Sequence, residues 1–93
     1  MVIGVLTARL GIPEAQSLKD KRSVIRSLRD RIQNTMNVSV AEIGDQDVWQ
    51  TARMAFVTVA AEMDTVQKRL SEISSFLQSG PRHILMDLHT ELL

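Results

Sequence analysis

Apolar and polar positions change rhythm along this chain, and each change marks an element. From Val2 to Leu10 they alternate: Val2, Gly4, Leu6, Ala8 and Leu10 fall on one side, Ile3, Val5, Thr7 and Arg9 on the other. A period of two predicts a strand, with the even set facing the core. Gly11-Ile12-Pro13 ends it, because Pro13 cannot extend a ladder. From Ser17 to Met36 the period becomes helical, with Leu18, Val24, Ile25, Leu28, Ile32 and Met36 in one stripe. Ser17 followed by Asp20 is a capping-box-like start. Asn37 to Ile43 predicts a second strand, and Gly44-Asp45-Gln46-Asp47 a turn. Ala52 to Ala61 predicts a third strand, uncharged from Met54 onward and apolar on both faces, as a central strand would be. These two strands form a hairpin. Asp64 is the expected cap of a second helix, with Gln67 at the capping-box position, a stripe of Val66, Leu70, Ile73 and Leu77, and Phe76 beside it. Ser79-Gly80-Pro81 stops that helix. His83 to Glu91 alternates again, Ile84, Met86 and Leu88 against Leu85, Asp87, His89 and Glu91, which predicts an edge strand with a charged face.

The element order is β-α-β-β-α-β. Each helix has one apolar stripe, so both can cover the same face of one sheet. Right-handed crossovers then place the third strand beside the first. This predicts a single ferredoxin-like α+β domain over residues 1–93, with strand order 4-1-3-2 and two helices on one face.

Composition narrows the function classes. With 93 residues the chain buries only about 60–65% of its unfolded surface, leaving little room for a deep pocket beside the core. No apolar run approaches a membrane span. The N-terminal Met-Val-Ile-Gly-Val-Leu lacks a basic region and is not expected to be a signal peptide. The absence of cysteine excludes disulfides, thiolate metal sites and cysteine nucleophiles, and fits a cytoplasmic protein. Net charge is zero but unevenly spread: residues 1–41 carry seven Lys/Arg against three acids, and residues 42–93 four against eight. Such asymmetry fits either a polyanion-facing surface or two complementary faces.

The basic half centres on the first helix. Lys19, Arg22, Arg26 and Arg29 follow one another at steps of three and four, away from the apolar stripe. They are the candidate nucleic-acid-binding residues, since phosphate contacts need only charge and position. The competing reading is a solvated helix face, or one paired with acids elsewhere. A sheet surface that stacks RNA bases is not expected: Ile3 and Val5 replace aromatics on the first strand, and Met54 and Val59 replace them on the third. Glu42, Asp45 and Asp47 lack the spacing of a calcium loop, and the His83/His89 pair lacks a third zinc ligand. No nucleophile triad, phosphate loop or dinucleotide glycine pattern is present, so neither a catalytic centre nor a cofactor is expected. Trp49, the one tryptophan, follows the turn and is a candidate partner anchor, the alternative being a plug over the sheet end.

Ser17-Leu18-Lys19-Asp20-Lys21-Arg22, together with Asn37-Val38-Ser39-Val40-Ala41-Glu42-Ile43-Gly44-Asp45-Gln46-Asp47-Val48-Trp49-Gln50, resembles the YlxP-like family of small bacterial proteins, whose domain has no known function. Only Val48 departs, standing where Leu or Ile is usual. The resemblance spans nearly the whole chain. It implies the ferredoxin-like fold and, through a frequent gene neighbourhood, a connection with translation initiation and ribosome maturation. It supplies no catalytic residues. The leading expectation is a non-enzymatic accessory module that meets RNA or a ribosomal partner through the basic helix. The alternative is a structural homo-oligomerising domain with no nucleic-acid role. A ligand-binding or catalytic site at a subunit interface is the third.

One further expectation concerns the second face of the sheet. Two helices cover one face only, yet Ile3, Val5 and Val57 lie on the other. Soluble monomers seldom expose such a patch on a large scale. A homodimer with Ile3, Val5 and Val57 as contact residues is therefore expected.

Overall fold

A computed structural model describes residues 1–93. The elements are β1 (Val2–Gly11), α1 (Leu18–Thr35), β2 (Ser39–Gly44), β3 (Thr51–Ala60), α2 (Met63–Gln78) and β4 (Ile84–Leu92). The four strands form one antiparallel sheet in the order β2-β3-β1-β4, which is 4-1-3-2 read from the other edge. The fold is thus ferredoxin-like, with the two most apolar strands in the middle. No helix is long and apolar enough to cross a membrane.

The even residues of β1 and β3 point toward the helices. Leu6, Ala8, Leu10, Ala52, Met54 and Phe56 are buried there against Val24, Ile25, Leu28 and Ile32 of α1 and Val66, Leu70, Ile73 and Leu77 of α2. Both helical stripes are those the 3.6 period predicts. Burying each large aliphatic side chain stabilises the fold by about 1.5–3 kcal/mol. Gly4 marks where α2 crosses β1: a Cβ there would lie 2.5 Å from Val66 Cγ1 and 3.1 Å from Leu70 Cδ1. The glycine is required by this close approach, not by its own backbone angles.

The helix ends differ from the sequence expectation in instructive ways. Ser17 does cap α1, its Oγ accepting from Asp20 N–H at 3.1 Å, while the Asp20 carboxylate accepts from Gln16 N–H at 3.0 Å. The cap of α2 is Glu62 and not Asp64, and no side chain bonds there. Asp64 lies inside the first turn, where its charge favours the positive end of the helix dipole. At the other end, the ring of His83 packs over Gly80 and its Nε2 lies 2.9 Å from Leu77 O, one of the carbonyls a helix terminus leaves unpaired. His83 is therefore a buried stopper preceding β4, and His89 is exposed on that strand, so the two do not share a face.

Two irregularities interrupt simple alternation. In β4 the register against β1 shifts between Arg9 and Leu10, so Leu10 opposes Leu85 while Ala8 opposes Leu88. Leu85 and Leu88 thus share the helix-covered face, contrary to the expected opposition, and Met86 sits beside Gly11 on the outer face. In β2 the register shifts between Glu42 and Gly44. Gly44 belongs to the strand, and the connection to β3 is Asp45–Gln50.

Replacing Gly4 by Ala should cost about 1–3 kcal/mol through overpacking against a fully buried valine. Urea denaturation would measure it. Adding Val66→Ala should then cost less than Val66→Ala costs alone, because the smaller side chain makes room for the new methyl.

Candidate functional site

The outer face of α1 is a charged surface. Lys19, Arg22 and Arg26 are exposed and have no acidic partner within ion-pair distance. Arg22 and Arg26 stand one turn apart, an arrangement of like charges that costs an isolated helix about 0.2–0.5 kcal/mol. Arg29 is half-buried and lies 3.7 Å from Asp30. Arg31 extends over the Phe76 ring of α2, 5.6 Å from its centroid. The candidate set is therefore held as one surface by a single rigid helix. Arg22, Arg26 and Arg29 also line a shallow groove of ≈ 180 Å³ between α1 and edge strand β2, together with Val40, Ala41 and Glu42. That groove has cations on its helical wall and a strand edge on the other.

Lys21, between those cations in sequence, does something else. It is 0% exposed. Its Nζ donates to Asp45 O at 2.7 Å and Thr51 O at 3.2 Å, and lies 2.8 Å from Glu42 Oε2. That carboxylate oxygen is itself buried and has no other partner. One ammonium thus joins α1 to the end of β2, to the start of β3 and to the loop between them. Asp45 completes the cluster. It takes the left-handed backbone conformation with φ 58°, which Asp tolerates better than most residues. Its carboxylate accepts from Thr51 Oγ1 at 3.1 Å and lies 3.7 Å from Arg9 Nε and 3.8 Å from Arg53 Nε.

Sequence reasoning missed this clamp, although a signal was there. Lys21 sits within the apolar stripe of α1, between Leu18 and Val24. Glu42 sits in phase with Val38 and Val40 on the inward side of β2. Opposite charges at two core-facing positions point to a buried pair. The clamp also accounts for the acids of this turn: Glu42 and Asp45 are engaged with Lys21, Arg9 and Arg53, and no three His, Asp or Glu side chains converge as metal ligands would.

The clamp fixes the base of the Asp45–Gln50 loop and leaves its tip outside. Val48 N–H closes a turn on Asp45 O at 3.0 Å. Gln50 tethers the far side: Nε2 donates to Pro13 O and Ala15 O, and the Gln50 carbonyl accepts from Ile12 N–H at 2.8 Å. Trp49 is 52% exposed and is not a plug over the sheet end. An exposed tryptophan on a loop tied at both ends pays little ordering entropy on contact, as a partner anchor requires.

The remaining candidates, Ile3, Val5 and Val57, lie together on the face of the sheet that no helix covers. Val5 opposes Val57 and Ile3 opposes Val59 across the central strand pair. No aromatic side chain joins them there. The basic helix and these residues occupy opposite sides of the molecule, so they do not form one site.

Lys21→Met should lower stability by about 3–5 kcal/mol, because it leaves Glu42 as a buried charge without its partner. Chemical denaturation would measure the loss. The tryptophan emission of the unaltered protein should be red-shifted and readily quenched by acrylamide, as expected for the exposed Trp49. A blue, protected emission would contradict its placement.

Residues 3–90 match a family described as a protein of unknown function, DUF503. The chain is similar to the uncharacterized protein YlxP of Bacillus subtilis (strain 168), with 36% identity over 80 residues, covering 86% of this chain and 87% of that protein. The match takes in both the basic helix and the clamped loop, and the chain belongs to the DUF503 family.

Proposed function

We propose that this protein is a non-enzymatic RNA-contacting module, serving as an accessory to translation or the ribosome, and that α1 is its contact surface. One observation carries the reading: Lys19, Arg22 and Arg26 form an exposed row on a rigid helix, and none of them has an acid within ion-pair distance. Charge spent this way does not stabilise the fold, since the like charges repel. It does create a local positive field, reinforced by the partial positive charge at the α1 N-terminus. Phosphate groups spaced along a strand are the ligand that such a row fits. Arg29, at the edge of the groove beside β2, extends the row.

The contact is electrostatic and sequence-tolerant. The sheet lacks the exposed aromatic residues on which RNA-binding domains of similar architecture stack bases. Ile3, Val5, Val57 and Val59 stand on the two central strands instead. Base readout at the sheet is thereby unsupported, and the helix side is where RNA would be met. The ribosomal connection rests on the gene context of the YlxP-like family; the basic helix supplies the chemistry.

Fluorescence anisotropy of a labelled mixed-sequence single-stranded RNA, titrated across a salt series, tests the reading. Each phosphate contact contributes about 0.7 to the slope of log affinity against log salt. Arg22→Gln with Arg26→Gln should weaken binding and flatten the slope by about 1–2. These exposed positions leave the fold unchanged by circular dichroism. An unaltered slope would remove the helix from the interface. Absence of any salt-dependent binding would favour a purely structural role.

A further inference from the structure

We propose that the uncovered sheet face is a docking surface for a second copy of this chain. The face is formed by the odd residues of β1 and β3 with their neighbours on the edge strands. Val57 is 39% and Val59 44% exposed, and Ile43, Ile84, Met86 and Leu93 stand more than half exposed. Val5 opposes Val57, Ile3 opposes Val59, and Leu93 pairs with Ile3 through two backbone hydrogen bonds. Ile3, Val5, Val57, Val59 and Leu93 are thus contiguous across three strands at one end of the face, while Ile84 and Met86 lie at the other end, beyond Thr7, Arg9 and Arg53.

Three features select a second copy as the occupant. The first is chemistry. The patch is aliphatic, so nucleic acid gains no stacking there. Its charged border is balanced, with Arg9 and Arg53 against Asp87 and Glu91, so it attracts neither a polyanion nor a polycation. Asp45 already holds both arginines, within 3.8 Å, and Asp87 lies across from Arg9.

The second is area. Four strands about 4.8 Å apart, most of them about 30 Å long, offer about 500–600 Å². Two such faces bury about 1,000–1,200 Å² in total, the size of a weak, reversible interface. A short peptide or a single loop would leave much of the patch wet.

The third is register. A two-fold axis lying along the strands, between β1 and β3, lays β3 over β1 of the second copy and β2 over its β4. Residues already level in the sheet then meet across the interface. Val57 faces Val5 of the second copy, Val59 faces its Ile3, and Arg9 faces its Arg53, a like-charge level at which the Asp45 of each copy is the counter-charge. Small residues Ala41, Ala55 and Thr7 share one level of the face and allow the sheets to approach there. Isologous contacts of this kind close on themselves and do not propagate. Sheet twist adds the usual angle of about 30° between the two layers. Both α1 helices remain on the outside, so this interface neither requires nor blocks the proposed RNA contact.

Sedimentation equilibrium of the full chain from low to high micromolar concentration is the test. The expected result is a mass approaching twice 10.4 kDa. Val57→Asp and Val59→Asp should each return it to the single-chain mass with the circular dichroism spectrum intact. Lys68→Asp, on exposed α2 surface, should leave the doubled mass. A measurement without substitutions stands beside these: methyl resonances of Ile3, Val5, Val57 and Val59 should shift with concentration, and those of Val66 and Leu70 should not. A single-chain mass at every concentration overturns the proposal. So does a doubled mass that survives both valine substitutions in folded protein, or concentration-dependent shifts confined to the helices.

Discussion

A four-stranded sheet has two faces, and this chain has helix enough for one. That constraint governs the rest. The two helical stripes and the even positions of β1 and β3 close a core of 17 buried hydrophobic residues. Everything apolar on the odd positions is left over. The central strands cannot solve this by becoming polar alone, because β3 is apolar on both faces from Met54 onward. The molecule therefore has a dry side, where packing holds it together, and an aliphatic side open to water. The row of cations on α1 stands on the far surface of the helices. The separation gives each surface its own chemistry and lets each be altered without the other.

Within the core the notable departure from hydrophobic packing is Lys21. A buried ammonium without partners would be untenable, and an ion pair in low dielectric seldom adds much over a well-packed apolar pair. Here the ammonium is shared among a carboxylate and two backbone carbonyls, so all of its donors are used. Its contribution is geometric. It fixes where the β2–β3 connection leaves the sheet, and with Gln50 it holds a six-residue loop whose tip carries Val48 and Trp49. The two stretches that mark the family resemblance, one in α1 and one from β2 into this loop, meet at this lysine. Physical contact between Lys21, Glu42 and Asp45 explains why they belong together.

The sequence was most legible where a period was long and uninterrupted. The α1 and α2 stripes and the even sets of β1 and β3 are each repeated four times or more, and the structure buries most of each; the odd face of β3, equally apolar, it leaves uncovered. It was least legible where one residue upsets the count. The shift in β4 moves Leu85 onto the face of Leu88, and a single misplaced residue reverses every assignment on one side of it. Cap choice behaved similarly: Asp64 has the right side chain, but Glu62 has the extended backbone of a cap, and the geometry decides.

By itself the sequence determined the element order, the strand order, the core faces of the helices and of β1 and β3, and the row of cations on α1. These follow from local periodicity and from the handedness of crossovers, which require no knowledge of distant contacts. Only the tertiary structure separated Lys21 from the cations beside it, made His83 a helix stopper instead of a strand residue, and set Trp49 outside the sheet end. Each of those outcomes depends on which groups approach across 6, 24 or 30 residues of chain. The same residue type is solvated or buried according to what the fold brings against it, and that partner is not encoded in its neighbours.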